Sequence, residues 1–325
     1  MMKAVVLTQP GGPQVLELEN RPVPVAEEGQ VLIKVRAFGL NRSELFTRQG
    51  HSPKTSVTLP RVLGIEAVGT VEYAPGGEFR KGQIVATAMG GMGRLFDGGY
   101  AENTCVPAKQ VQALKTKLAW DVLGAIPEMF QTAWGSLFIS LNLQPGETLL
   151  VRGGTTSVGL AAAAIAKNHG AKVVATTRSP SSKEMLHDNG ADLVLIDDGH
   201  IAPKLREHMP SGVNRVLELV GTTTLADSLQ CAAKGGSVCM TGMVGNKWTI
   251  DDFSPMGAIP TAVNLTTYSG GVDEFMRMPL QELVTQVEKG TLTPKIGKVF
   301  RIDQIVEAHR CMEENRAGGK IVVLT

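Results

Sequence analysis

The chain has 325 residues, 43% of them hydrophobic and 19% charged, with a formal net charge of +1. That length points to about two domains. The composition excludes a disordered chain, and the charge balance gives no electrostatic basis for a nucleic-acid or membrane surface as the main partner. The four cysteines, Cys105, Cys231, Cys239 and Cys311, form no C-x-x-C pair, which argues against a zinc knuckle or a disulfide framework and for thiols in a reducing compartment. The start MMKAVVLTQPGG has no apolar signal core, and the longest apolar run, around LAAAAIA, is too short for a bilayer. A cytoplasmic protein is the expectation.

Residues 1–120 read as short strands and turns. KAVVLT opens the region, VLIKVRAFGL alternates like a half-buried strand, and IEAVGTVEYA and QIVATAM follow around the turn residues of PGGEFRKG. From 121 to 264 the rhythm changes. TLLVR, KVVATT, DLVLI, RVLELV and SVCMTG are short apolar strands, separated by the helical stretches SVGLAAAAIAKNH, KEMLHDN and TTLADSLQCAA. Strands apolar on both faces and alternating with helices predict an α/β domain, a doubly wound parallel sheet with right-handed crossovers. Residues 265–325 return to mixed elements, with the helices PLQELVTQVEKG and QIVEAHRCMEEN and the strands KIGKVF and KIVVLT. A piece this short is read as completing the first domain.

The stretch VRGGTTSVG joins the first apolar strand to the alanine-rich helix. It fits a dinucleotide turn, G-x-G-x-x-G, if Gly154 is the first glycine, Gly159 the third, and Thr156 stands in for the second. Alone the match is weak, but the strand–turn–helix frame aims free N–H groups and a positive helix end at an anion. Thr155, Thr156, Ser157, Val158 and the two glycines are therefore candidate phosphate contacts, the hydroxyls as donors. At the end of the second strand, where an NAD-binding unit places a carboxylate for the ribose, the sequence offers Thr177, Arg178, Ser179 and Lys183. Cationic and hydroxylated groups suit a 2′-phosphate, so the reading is NADP(H) rather than NAD.

The ordered motifs NRSELFTRQG, PRVLGIEAVGTV, GGYAE, AIPEMFQTAWGSL and AGGKIVV together resemble the zinc-independent quinone oxidoreductase branch of the medium-chain dehydrogenase/reductase superfamily. The resemblance covers essentially the whole chain. It implies a mostly β, GroES-like catalytic domain (1–120, completed by 265–325) around a Rossmann cofactor domain (121–264). Relatives that use zinc carry G-H-E where this chain has Gly64-Ile65-Glu66, and a cysteine where it has Asn41; their four-cysteine lobe is reduced to Cys105. No metal is expected, because one carboxylate cannot hold zinc.

Carried over by the resemblance, Asn41 would hydrogen-bond the substrate carbonyl or the nicotinamide ribose. Glu44, Phe46, Arg48 and Phe96 would meet substrate, with the two phenylalanines read equally as core. Phe46 stands where relatives often have tyrosine, and Glu66 reads as a buried or paired carboxylate. Thr132, Gly221, Gly242, Met243, Ser269 and Gly270 would lie toward the cofactor, and Lys320 would reach its phosphate or balance local charge. The implied activity is metal-free hydride transfer from NADPH to small-molecule quinones or other α,β-unsaturated carbonyls. The alternatives are a crystallin-like cofactor-binding protein with little turnover and a zinc-free, NADP-dependent alcohol dehydrogenase. Relatives commonly pair through an edge strand, and NLTTYS would serve a homodimer.

Overall fold

The alternation in QVLIKVRAFG builds the long strand Gln30–Gly39, whose inward residues Val31, Ile33, Val35 and Phe38 are buried. It is shared by several neighbours. In the computed structural model, which describes residues 1–52 and 55–325, this strand pairs antiparallel with Glu66–Tyr73, with Asn103–Pro107 and with the C-terminal strand Lys320–Leu324. Among the described residues these belong to a seven-stranded sheet, beside a three-stranded one made of Leu16–Arg21, Met2–Leu7 and Arg61–Val62. Val5, Phe38, Leu63, Met92, Tyr100 and Ile321 lie in the core they enclose.

Contacts divide the chain into one unit of Met1–Gln131 plus Gly270–Thr325 and another of Thr132–Ser269. The sequence pattern places these divisions near 120 and 265. Helix Pro127–Trp134 runs through the first division and passes into a π-helical turn, Gly135–Ser140, so no glycine or proline marks the change.

The second unit holds a six-stranded parallel sheet in the spatial order Leu193–Ile196, Lys172–Thr177, Thr148–Arg152, Val213–Glu218, Ala232–Met240, Asn264–Thr267. Helix Ser157–Asn168 buries Ala161, Ala162, Ala163 and Ala166, small residues that let its axis approach the sheet closely. It ends before Gly170, whose φ of +92° a side chain rarely adopts. The helix expected over TTLADSLQCAA is shorter, Leu225–Cys231, because Ala232 already pairs with Val213 in the sheet. At the edge, Asn264–Thr267 is anchored by Ser140 Oγ, which donates to the Thr267 carbonyl at 3.0 Å. The Tyr268 ring lies over Gly135, where an added Cβ would fall 2.1 Å from Tyr268 Cζ.

In the first unit, Tyr100 stacks on Phe38 with centroids 4.6 Å apart, and its hydroxyl lies 3.1 Å from Nε2 of His309. His309 is fully buried and its Nδ1 has no partner. Burial, and then the positive charge of Arg48, push its imidazole down to about 3. The folded protein therefore keeps His309 neutral while the unfolded chain takes up a proton below its ordinary value of 6.5. Stability supplied by this group is present above that value and is lost as pH falls toward 3, at up to about 1.4 kcal/mol per pH unit. Urea denaturation of His309→Gln between pH 4 and 7 should show a shallower acid limb than the parent protein; identical limbs would exclude His309 as its source.

Candidate functional site

The turn after strand Thr148–Arg152 is built by its backbone. Gly153 has φ of +84°, its N–H reaches Thr176 Oγ1 at 3.1 Å, and the Gly154 N–H reaches the Thr176 carbonyl at 3.0 Å. A Cβ at Gly154 would meet Ala175 Cβ and the Thr176 oxygen at 3.0 Å, and one at Gly159 would lie 2.6 Å from the Gly153 oxygen. Thr156 has φ −72° and ψ 156°, an extended conformation open to any residue, which explains how it stands where the fingerprint has a glycine. Its hydroxyl donates to the Gly153 carbonyl at 2.8 Å and accepts from the Gly159 N–H at 3.0 Å. Thr156 is thus the N-cap of the helix, and the expectation that its hydroxyl donates to a phosphate is corrected. The Thr155 and Ser157 hydroxyls make no hydrogen bond among the described residues, and the Ser157 and Val158 amides open the helix without backbone partners.

Thr177 is corrected in the same way. It is buried, and its hydroxyl accepts from the Ser179 N–H at 3.1 Å while lying 3.3 Å from the Ser179 carbonyl, so it shapes a turn instead of meeting a ligand. That turn presents Arg178, Ser179 and Lys183, all exposed, and neither cation has an ion-pair partner among the described residues. Gly221 (φ +106°) sits against the next strand end: a Cβ there would lie 2.9 Å from the Gly242 oxygen and 3.1 Å from Met243 Sδ. The structure therefore brings Gly221, Gly242 and Met243 together. Thr132 and Ser269 are the first and last residues of this unit, and Gly270 begins the return to the other.

Sequence reasoning missed Arg152. Its guanidinium is fully buried and grips Asp197 with two bonds of 2.9 Å, while Nη1 reaches Asp227 at 2.7 Å and the Thr224 carbonyl and Ser228 Oγ at 3.1 Å. Asp197 is also 3.2 Å from Thr176 Oγ1, the group that receives the Gly153 amide. Burial works to raise the Asp197 carboxyl, and the Arg152 guanidinium outweighs it and holds the group below its ordinary value. Glu218 lies behind, accepting from the Val220 and Gly221 amides at 2.7 and 2.9 Å and from Ser228 Oγ at 2.5 Å; burial pushes it up. The signal was present in TLLVR, an apolar strand ending on an arginine, followed at two later positions by aspartates.

In the first unit, the residues expected around Asn41 form a closed cluster. The Lys320 ammonium, 1% exposed, sits 2.5 Å from Asn41 Oδ1, 2.9 Å from Glu66 Oε1 and 3.5 Å from Glu128 Oε2. Asn41 Nδ2 donates to Glu66 at 2.9 Å and to Glu44 at 3.3 Å. Burial works to lower the Lys320 ammonium, but Glu66, Glu128 and Glu44 hold it above its ordinary value. Lys320 is thus enclosed by carboxylates, and the expectation that it reaches a phosphate is corrected. Glu66 is the paired carboxylate expected. Asn41 has both N–H groups committed to carboxylates, so it orients this cluster. Glu44 is buried, accepting the Ile65 N–H at 3.2 Å, and its Oε2 has no partner.

Arg48 is also corrected: it is fully buried, donating to the Gly11 carbonyl at 2.6 Å and pairing with Glu313, so no face is left for substrate. Phe46 is buried at 9% exposure. Phe96 packs against the core and lines a cavity of about 330 Å³ with Arg21, Val62, Asn103 and Cys105, a lining that includes none of the Asn41 cluster.

Residues 27–116 match the family described as "Alcohol dehydrogenase GroES-like domain" and residues 189–323 that described as "Zinc-binding dehydrogenase". A quinone oxidoreductase of Pongo abelii is 30% identical over 330 residues, covering 100% of this chain and 98% of the relative. The chain belongs to the quinone oxidoreductase branch of the medium-chain dehydrogenase/reductase superfamily. Among solved structures, a mycobacterial protein complexed with NADPH aligns with a TM-score of 0.87 at 28% identity, and an NAD-dependent alcohol dehydrogenase with 0.86 at 27%, each over 100% of both chains. This superfamily's zinc does not suit the residues here: the Lys320 ammonium already fills the space between Asn41 and Glu66, and a divalent ion beside it would meet its charge. Among the described residues no three His, Cys, Asp or Glu side chains gather to hold a metal, and no helix is long and apolar enough to cross a membrane.

The cluster has a measurable consequence. Burial, and then the Glu66 charge, push the Glu44 carboxyl up to about 8 from 4.5. A folded value above the unfolded one gives stability that is complete below 4.5 and lost as pH rises through 8. Glu44→Gln should therefore flatten the fall in stability between pH 5 and 8, by up to about 1.4 kcal/mol per pH unit, in thermal or urea denaturation. An unchanged slope would show Glu44 ionised in the folded protein.

Proposed function

We propose that the protein is an NADP(H)-dependent reductase of quinones and other α,β-unsaturated carbonyls that works without a metal. The observation that carries the reading is the end of strand Lys172–Thr177, where Arg178, Ser179 and Lys183 stand exposed with no carboxylate partner beside the glycine turn. The turn fits a dinucleotide. Gly154 and Gly159 keep it tight, since a Cβ at either would run into the chain's own atoms, and the open amides and positive end of helix Ser157–Asn168 suit a pyrophosphate. Thr155 and Ser157 add hydroxyl donors, and Gly221, Gly242, Met243, Thr132, Ser269 and Gly270 complete the proposed cofactor contacts.

NADPH, when bound, supplies hydride. The Arg178 fork makes paired, charge-assisted bonds to the 2′-phosphate, with Ser179 and Lys183 beside it. An enone or quinone is already electrophilic, so the reduced product requires hydrogen-bond donors and a proton and no Lewis acid. Asn41, held by Glu44, Glu66 and Lys320, acts as a positioning residue for this end of the protein. The commitment of both Asn41 N–H groups favours one second reading, a cofactor-binding protein with little turnover.

NADPH oxidation with 1,4-benzoquinone and a simple enone separates the two: turnover supports the reductase, and NADPH binding without turnover supports the second. Alcohol-dependent reduction of NADP would replace both with a zinc-free alcohol dehydrogenase. Arg178→Ala should weaken NADPH binding about ten-fold or more and leave NADH binding nearly unchanged in fluorescence titration. Equal losses would place the 2′-phosphate elsewhere. The exposed edge Asn264–Thr267 is the proposed seam of a homodimer, for which light scattering should return twice the protomer mass, and a protomer mass would exclude it.

A further inference from the structure

The loop Met89–Asp97 carries an arginine, Arg94, that no carboxylate among the described residues pairs with. Its backbone is held left-handed at Met89, Gly90, Gly91 and Gly93, with φ of +69°, +65°, +89° and +71°. The amides of Arg94 and Leu95 both turn back onto the Gly91 carbonyl, at 3.1 and 2.7 Å. Gly93 and Gly98 press against the backbone of Gly64, leaving no room for a Cβ at either. Arg94 is thus set on a tightly wound loop.

The Arg94 side chain is half-buried. Nη2 donates to Ser43 Oγ at 2.5 Å, whereas Nε is out of solvent with no partner. A buried guanidinium N–H left unpaired is costly and calls for an acceptor. Among the described residues no carboxylate forms an ion pair with Arg94. Asp97, the acid of the same loop, is committed to Arg61 at 3.0 Å and to the Val62 amide at 3.1 Å. Glu44, the acid of helix Arg42–Arg48, is bound to Asn41 and Ile65. Arg42, next to Ser43, also pairs with no carboxylate among the described residues; its Nη2 donates to Asn315 Oδ1 at 2.6 Å. Glu44 to Arg48 are buried, so Arg42 and Ser43 are the accessible positions of that helix.

We propose that Arg94 and Ser43 form an anion-binding subsite, and that the molecules this protein accepts carry a carboxylate or comparable oxyanion beside their conjugated carbonyl. The guanidinium offers a planar fork matched to such a group, and the Ser43 hydroxyl adds a donor once Arg94 turns to the ligand. The subsite deepens the reductase reading and rests on it for turnover; the binding of the anion itself does not.

A charge-only pair tests it. Calorimetric titration of the protein with 4-oxo-4-phenylbutanoate and with its methyl ester should show the acid binding about ten-fold tighter, a preference lost in Arg94→Gln and partly kept in Arg94→Lys. If Arg94→Gln does not fold, Ser43→Ala should weaken the acid several-fold and leave the ester unchanged. Equal binding of acid and ester, no binding of either, or a preference that survives Arg94→Gln or Ser43→Ala would overturn the subsite. In the same protein, NADPH oxidation with (E)-4-oxo-4-phenylbut-2-enoate and its ester should favour the acid. Absence of turnover with both, alongside Arg94-dependent binding, would sink the reductase reading and leave the anion subsite standing.

Discussion

An ammonium taken out of water has to be surrounded by acceptors, and the first unit is arranged around that requirement at Lys320. The residue opens the C-terminal strand, which pairs with Gln30–Gly39, while its acceptors come from Asn41, Glu66 and Glu128, far away in the sequence. Removing any one acceptor would leave a buried charge partly unanswered, a loss typically larger than the net gain from the pair itself. The last residues of the chain are therefore bound to the first region by electrostatics as well as by backbone pairing. The same cluster leaves Glu44 without an ion-pair partner, which is why burial dominates its ionisation.

The second unit solves a similar problem with a different group. Arg152 ends the strand that leads into the glycine turn, and its fixed fork allows two aspartates, a carbonyl and a hydroxyl to be satisfied at once. Through Asp197 and Thr176 this network reaches the amide of Gly153, so the geometry of the turn is tied to a buried ion pair. The outward groups Arg178 and Lys183, at and just beyond the neighbouring strand end, have no ion-pair partner among the described residues. Arg152 is neutralised within the fold, and the exposed Lys167 and half-buried Lys204 of the same unit pair with Asp192 and Asp198.

Much of this was legible from residue order. Period-two alternation marked Gln30–Gly39, alternating apolar strands and helices marked the parallel sheet, and the ordered motifs marked the family. Errors gathered where a side chain has two possible uses. Thr156 and Thr177 carry hydroxyls that suit a phosphate, yet each closes a local turn, a choice set by backbone angles that the residue type leaves open. Arg48 and Lys320 carry charges that suit a substrate or a phosphate, yet each is matched by an acid remote in sequence.

Sequence alone determined the alternating strands and helices of the parallel sheet, their order, the family and the absence of a carboxylate at the end of that sheet's second strand, because these depend on local periodicity and residue identity. Tertiary structure alone decided which charged groups are answered and which are not. Pairing of Lys320 with Glu66, of Arg152 with Asp197, and the lack of a carboxylate partner for Arg94 among the described residues are facts of distance between segments, and burial turns those distances into energies.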